Sequence, residues 1–397
     1  MIADVVDVEE LLSRANAALA RRDADAALDI LRRAERAAPR DVNVRLNIAL
    51  ALRLRGDLPA ALAALDAALE IEPYLFIALL SKGAILERMG LIRAAASIYK
   101  DALTIAPSPD KTPPGLAQPL ARARQVVAEN AEALRAFMAG QVDAVRSRHA
   151  HAAQRRFDEA LDLFAGRKRV YQPQPLLMHF PGLPVVQFFD RELFPWLPRL
   201  EAATDMIRDE LAALVSTGGM DRFAPYIAYP PGAPVNQWEE LNHSRKWSSL
   251  WLWRDGARQD EICDLCPGTA ALLESLPMAD QPGFAPTAVF SALQPRTHIP
   301  AHTGSTTARL LTHLPLILPG PARFRVGNDE RPWRMGEAWV FDDTIEHEAW
   351  NDADETRVIL IFDVWNPYLS EAEREMVGAM MAARNAFYAA ESGAGPT

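Results

Sequence analysis

Apolar residues recur along the first hundred or so positions with a period of 34. Ala27, Ala61 and Ala95 share one phase, Ala34, Ala68 and Ala102 a second, and Leu12, Leu46 and Leu80 a third. Ala15, Ala49 and Gly83 keep a small residue in register, and Pro39, Pro73 and Pro107 close each unit. Small side chains at fixed intervals let two helices approach closely, so the pattern predicts three stacked helix pairs. Gly56 and Gly90 fall at the turn inside the second and third units, and Arg22 stands at the matching place in the first.

Beyond this array the pattern changes twice. Pro107 to Pro119 is rich in turn residues, and from Leu120 to Lys168 the spacing of Val126, Leu134, Phe137, Val145, Leu161 and Phe164 predicts two or three amphipathic helices. Tyr171 to Trp196 is aromatic and proline-rich. It is followed by a predicted helix over Leu200–Val215, a strand over Trp247–Trp253 and a short helix over Thr269–Leu276. From Phe290 to Pro367 short apolar runs are split by Gly, Pro, Asn and Asp, which predicts an antiparallel β-sandwich or barrel. Pro315 lies within one of these runs and has no N–H for a ladder, so that strand is expected at an edge or at a bulge.

Composition narrows the picture. A chain of 397 residues with 49% hydrophobic residues supports ordinary cores in two or three domains. The net charge of −10 argues against non-specific nucleic-acid binding. The first seven residues lack the basic and apolar regions of a signal peptide and no long apolar run offers a membrane span, so a soluble, cytoplasmic protein without a membrane partner is expected. Cys263 and Cys266 form a single C-x-x-C without a second pair and read as reduced thiols rather than a metal ribbon. His149, His151 and His243 read as solvated.

The 34-residue period resembles the tetratricopeptide repeat. That resemblance implies an all-α solenoid over residues 1–115 with a concave groove for a protein partner, the first and most polar repeat acting as a cap. Residues 116–170 are then a helical linker, 171–390 a second, strand-rich domain and 391–397 a disordered tail. The fold class is α+β and multidomain.

Four of the eight histidines lie between Phe290 and Pro367: His298, His302, His313 and His347. Non-haem iron sites that activate oxygen commonly use two histidines and one carboxylate on one face. His302 and His347 fit the two histidines, whereas position 304, where the acid would stand, is Gly. Asp342 and Asp343 read as turn residues or as groups that orient a histidine, His298 as a non-ligand, and Asn351 rules out an H-E-x-x-H zinc motif starting at His347.

Taken together, Ser291, His302-Thr303-Gly304, Arg309, His313-Leu314, Phe341-Asp342-Asp343, Glu346-His347-Glu348, Arg357 and Asp363-Val364-Trp365 resemble the aspartyl/asparaginyl β-hydroxylase family. Phe180-Pro181-Gly182-Leu183-Pro184 and Cys266-Pro267 extend the resemblance over roughly the C-terminal half. It implies a double-stranded β-helix (jelly-roll, cupin-like) that binds Fe(II) through His302 and His347, with 2-oxoglutarate as co-substrate. Gly304 resembles the branch in which a water takes the third protein position. Arg357 would grip the distal carboxylate of 2-oxoglutarate with Ser291 beside it, and His313 would sit near the other carboxylate. Leu311 stands where animal-type members have an Arg, so Arg309, on the same strand face, is expected to reach that region. The implied reaction is hydroxylation of a C–H bond, with the β-carbon of Asp or Asn in a peptide or protein as substrate. Two other readings stay open: an adaptor whose β-domain binds metal or ligand without turnover, and a cupin using zinc or another metal. Arg357 could alternatively pair with Asp363.

Overall fold

The computed structural model describes residues 7–108, 111–150, 154–216 and 218–392. His151, most of the acidic N-terminal stretch and Pro109-Asp110 of the turn-rich segment lie outside these. The chain divides into two compact units, one up to Arg169 and one from Val170.

The first unit is all-α. Its helices are α1 (Val8–Ala20), α2 (Ala24–Ala37), α3 (Val42–Arg55), α4 (Leu58–Ile71), α5 (Phe76–Arg88), α6 (Ile92–Thr104), α7 (Ala117–Arg148) and α8 (Arg155–Ala165). The alanines that set the period are fully buried where partner helices meet. In the third repeat a Cβ on Gly83 would meet the Tyr99 ring at 2.5 Å. The other repeats pair Ala15 and Ala49 with Leu31 and Leu65 at the same offset, so one smaller residue is matched by one larger one. Asp7, Asp23, Asp41 and Asp57 cap the first four helices, accepting N–H bonds from the first turn. Gly56 and Gly90 take positive φ, and Arg22 adopts φ 59° at the equivalent turn. The first half of α7 buries Leu120, Ala123 and Val126, and the latter two join the α5–α6 core. The stretch read as a linker thus supplies the helix that covers the last repeat.

The second unit is a β-sandwich with helical cover. Its strands are β1 (Ala224–Pro225), β2 (Trp247–Arg254), β3 (Ala257–Arg258), β4 (Ala288–Leu293), β5 (Thr297–His302), β6 (Arg309–Ile317), β7 (Ala322–Val326), β8 (Asp329–Pro332), β9 (Trp339–Phe341), β10 (His347–Asn351) and β11 (Arg357–Trp365). The larger sheet has the order β1-β2-β4-β11-β6-β9, with β3 beside β2, and the smaller has β5-β10-β7-β8. Every paired strand is antiparallel to its neighbour.

Among the described residues of this unit the α-helices are α9 (Leu197–Ala202), α10 (Thr204–Ser216), α11 (Asp260–Cys263), α12 (Pro267–Glu274) and α13 (Glu371–Ser392). The single helix expected over Leu200–Val215 is two, because Ala203 leaves helical geometry and the Thr204 hydroxyl donates to the Glu201 carbonyl at 2.6 Å. Likewise α13 continues through Glu391 and Ser392, correcting a tail expected from 391, since Ala389 and Ala390 favour helix. Residues 393–397 lie outside the described set.

Alternation sorts β11 and its neighbours into two buried faces. Phe290, Leu310, Leu314, Val358, Leu360 and Phe362 pack with α9–α12 residues. Val289, Leu293, Ile359 and Ile361 turn the other way, onto Ile299, Phe324 and Val326 of the smaller sheet. Pro315 sits in β6 beyond its pairing with β9, where the β6–β11 register shifts between Val358 and Ile359; the strand is bulged there, as the missing N–H requires.

Candidate active site

The two sheets enclose the polar residues singled out by sequence. His302 ends β5, His347 begins β10, and the two are direct cross-strand partners, so both side chains project from the same face. Their ring centroids lie 4.1 Å apart. A register shift between His347 and Ala349 breaks the ladder beside the pair. The Nδ1 of His302 lies 2.7 Å from the Pro300 carbonyl and that of His347 3.0 Å from the Ile345 carbonyl. A carbonyl only accepts, so each Nδ1 carries the proton and each Nε2 keeps its lone pair. Burial lowers the His302 pKa to about 4 and holds His347 well below the usual imidazole value, with His302 adding to the effect. Two neutral imidazoles with free Nε2 atoms suit a divalent transition metal.

Arg357, at the start of β11, is 1% exposed. Its Nε and Nη1 are buried without a partner, and its guanidinium lies 4.6 Å over the Trp333 ring. Burial pulls its pKa down to about 9. A guanidinium withdrawn from water without an acid is unfavourable by several kcal/mol, and an anion placed against it would offset that cost. Ser291 lies opposite Ile359, two residues along the same face of β11. Its Oγ accepts from Trp247 Nε1 at 3.0 Å, which leaves its own O–H to donate. His313, opposite Ile361, is also buried with an unpartnered Nδ1. Burial lowers its pKa, with Arg357 and then His302 contributing, so its ring feels both the arginine and the histidine pair.

Arg309 departs from expectation. It forms a close ion pair with fully buried Asp363, and its next strong acidic neighbour is Asp343. Its charge is already matched, and Arg357 is the arginine left open. The same pairing removes Asp363 as a partner for Arg357.

Asp343 is the feature sequence reading undervalued. Its carboxylate occupies the space that a Cβ on Gly304 would need, and its carbonyl accepts the Gly304 N–H at 2.6 Å. Burial raises its pKa to about 7, with Arg309 opposing, and its Oδ1 has no partner. A residue without a side chain two places after a metal-type histidine was the available signal, because something must fill that volume. Among the described residues no third His, Cys, Asp or Glu completes a metal-holding group.

The remaining candidates lie elsewhere. His298 stacks on Trp350 at 4.8 Å and bonds Glu348 at 2.9 Å. His243 is exposed and bonds the Tyr229 carbonyl. Cys263 and Cys266 are buried free thiols, and burial pushes Cys266 up to about 12, far from a reactive thiolate.

An antiparallel two-sheet sandwich holding paired neutral histidines beside a buried arginine without an acid has the architecture of the double-stranded β-helix class. Residues 201–367, all within the second unit, match the family model described as Aspartyl/Asparaginyl beta-hydroxylase. The human Aspartyl/asparaginyl beta-hydroxylase is 37% identical over 144 residues, 36% of this chain and 19% of the relative. The Ornithine lipid ester-linked acyl 2-hydroxylase of Rhizobium tropici is 32% identical over 188 residues, 46% of this chain and 62% of the relative. The chain therefore spans less than two thirds of these relatives. A solved structure of the first TPR domain of human RPAP3 covers 31% of this chain and 93% of its own at TM-score 0.27 and 18% identity. The match to that family implies Fe(II) and 2-oxoglutarate as the groups this site would take.

Proposed function

We propose that the second unit is an Fe(II)- and 2-oxoglutarate-dependent dioxygenase that hydroxylates a C–H bond, acting on the β-carbon of Asp or Asn in a peptide or protein. The observation that carries this reading is the buried, unpaired guanidinium of Arg357 on the sheet facing the two neutral histidines. An arginine left without an acid in a buried interior suits a co-substrate carboxylate.

In this reading His302 and His347 hold iron through Nε2. Their Nδ1–H bonds to Pro300 and Ile345 keep both rings in the ligating tautomer. Arg357 clasps the distal carboxylate of 2-oxoglutarate, with the Ser291 hydroxyl donating beside it. His313 is assigned to the carboxylate nearer the metal. Trp238, with its ring 4.9 Å from His302, and Phe341, 5.5 Å from His347, line the metal side with apolar surface and keep bulk water away. Iron, 2-oxoglutarate and oxygen supply the oxidising power that inserts one oxygen atom into an unactivated C–H bond. The repeat unit, by its helix-pair architecture, is assigned to binding a protein partner.

The Rhizobium relative favours a second reading. Its name specifies the 2-position of an ester-linked acyl chain, a carbon next to a carbonyl, and the β-carbon of Asp or Asn is likewise next to a side-chain carbonyl. Incubation with 2-oxoglutarate, Fe(II) and either Asp- or Asn-containing peptides or ester-linked acyl lipids separates the two. Succinate release coupled to gain of one oxygen atom in the peptide is expected. Coupled oxidation of the lipid alone would replace the peptide reading with the acyl one, and no succinate with either would count against the enzyme.

A further inference from the structure

The loop after His302 and the loop before His347 are joined by a segment that neither the histidines nor the arginines explain. Tyr171 to Phe180 belongs to no helix or named strand, Met178 making one isolated parallel bridge to Thr306, and Pro173 and Pro175 alternate with Gln172, Gln174 and Leu176. Proline has no N–H, and Gln174 between the prolines and Leu176 after the second donate outward from the segment. Gln174 N–H donates to the Thr344 carbonyl at 2.7 Å, and Leu176 N–H donates to the Gly304 carbonyl at 2.9 Å. Thr344 lies three residues before His347, and Gly304 two after His302. Beyond them Leu177 and Met178 both donate to the Ser305 carbonyl, at 2.9 and 3.1 Å. Phe180 N–H then donates to Thr307 Oγ1 at 2.8 Å. The Leu176 side chain is 78% exposed, so its contribution is through the backbone.

We propose that this proline-alternating strap is a positioning element that fastens the loop after His302 to the loop before His347 and so sets the separation of the two metal-binding nitrogens. It rests on the reading of those histidines as the metal pair. With only two protein ligands, metal affinity depends on how firmly both are held at chelating distance, because a donor that can swing away loses its effective concentration. The two loops also bond each other directly, the Gly304 N–H donating to the Asp343 carbonyl at 2.6 Å, and the strap's two donors flank that contact. The prolines matter as much as the donors. They fix φ along the strap and reduce the entropy lost when its N–H groups are held in place.

The test is anaerobic titration of the full chain with Co(II), followed by its visible d–d absorption, alongside thermal melting of the apoprotein. Leu176→Pro removes one strap donor without touching a buried side chain. The double variant Pro173→Gly/Pro175→Gly keeps every donor but loosens the strap. Each is expected to weaken Co(II) binding about tenfold, the scale of losing a group that orients a metal ligand, and to speed amide exchange at Gly304 in the apoprotein. Gln172→Pro, where no bond to the loops is lost, should bind as the parent does. If both strap variants melt lower yet bind Co(II) as tightly as the parent, the strap is only a structural tie and the proposal fails. If the parent itself shows no Co(II) binding that depends on His302 and His347, the metal reading falls and the strap's role falls with it.

Discussion

Two arginines face the sandwich interior from neighbouring strands of the same sheet, and they have been treated in opposite ways. Arg309 meets Asp363 in a buried ion pair, with Asp363 also accepting the Thr287 N–H at 3.0 Å. Arg357, at the opposite end of β11, meets only an aromatic face and has two buried nitrogens without partners. The charge at the Arg309 end is matched, whereas the charge at the Arg357 end meets no acid. A buried charge by itself says little about function; a buried charge without its counterpart says a great deal.

The largest expected effect lies at the Arg309 end. Arg309→Met strands Asp363 in the interior and should destabilise the second unit by about 3–5 kcal/mol, whereas Arg309→Met/Asp363→Leu should recover most of that loss. Urea unfolding of both variants checks this, and equal destabilisation in the two would break the contrast. At the other end, Arg357→Met should leave apoprotein stability within about 1 kcal/mol of the parent or raise it, because no partner is abandoned. Its 2-oxoglutarate affinity should fall by about a hundredfold, matching the loss of charge-assisted hydrogen bonds of about 3 kcal/mol. Calorimetry on the metal-loaded protein reads the affinity.

A smaller effect is set by pH. Burial depresses His302 from 6.5 to about 4, so between those values the unfolded chain binds the extra proton. Stability of the apoprotein should therefore fall as pH drops from 6.5 towards 4, and His302→Gln should flatten that acid limb in urea melts taken at several pH values. Smallest is Trp333→Leu, which removes the ring beneath Arg357. A cation–π contact of about 1 kcal/mol corresponds to roughly fivefold weaker 2-oxoglutarate binding with little change in melting.

Much of this architecture was legible in the sequence because it rests on period. The 34-residue spacing of Ala27, Ala61 and Ala95 is a local signal of helix packing, and β11 reads as a strand buried on both faces from its unbroken apolar run. Asp7 and Asp41, and Asp23 and Asp57, repeat the same period as helix caps and were there to be read. The histidine pair and Arg357 came from an ordered constellation of residues, and the fold places His302 and His347 opposite each other.

What could not be read depends on contacts through space. Nothing in the spacing of Arg309 and Arg357 says which one Asp363 will meet; strand register decides it. Asp343 lies 39 positions from Gly304, and only the close approach of two loops puts its carboxylate in the missing side chain's place. The strap's prolines read only as part of an aromatic, proline-rich stretch, since their alternation gains meaning only once Thr344 and Gly304 lie on either side of them.

The central claim is that an iron centre held by His302 and His347 takes 2-oxoglutarate against Arg357. Anaerobic titration of the Fe(II)-loaded protein with 2-oxoglutarate, followed by the visible metal-to-ligand charge-transfer band, tests it most directly. The account predicts a saturable band in the parent, no band in His347→Ala, and a band in Arg357→Met that needs far more 2-oxoglutarate to saturate. An iron-loaded parent with no band, or one in which Arg357→Met saturates at the same concentration as the parent, would contradict it.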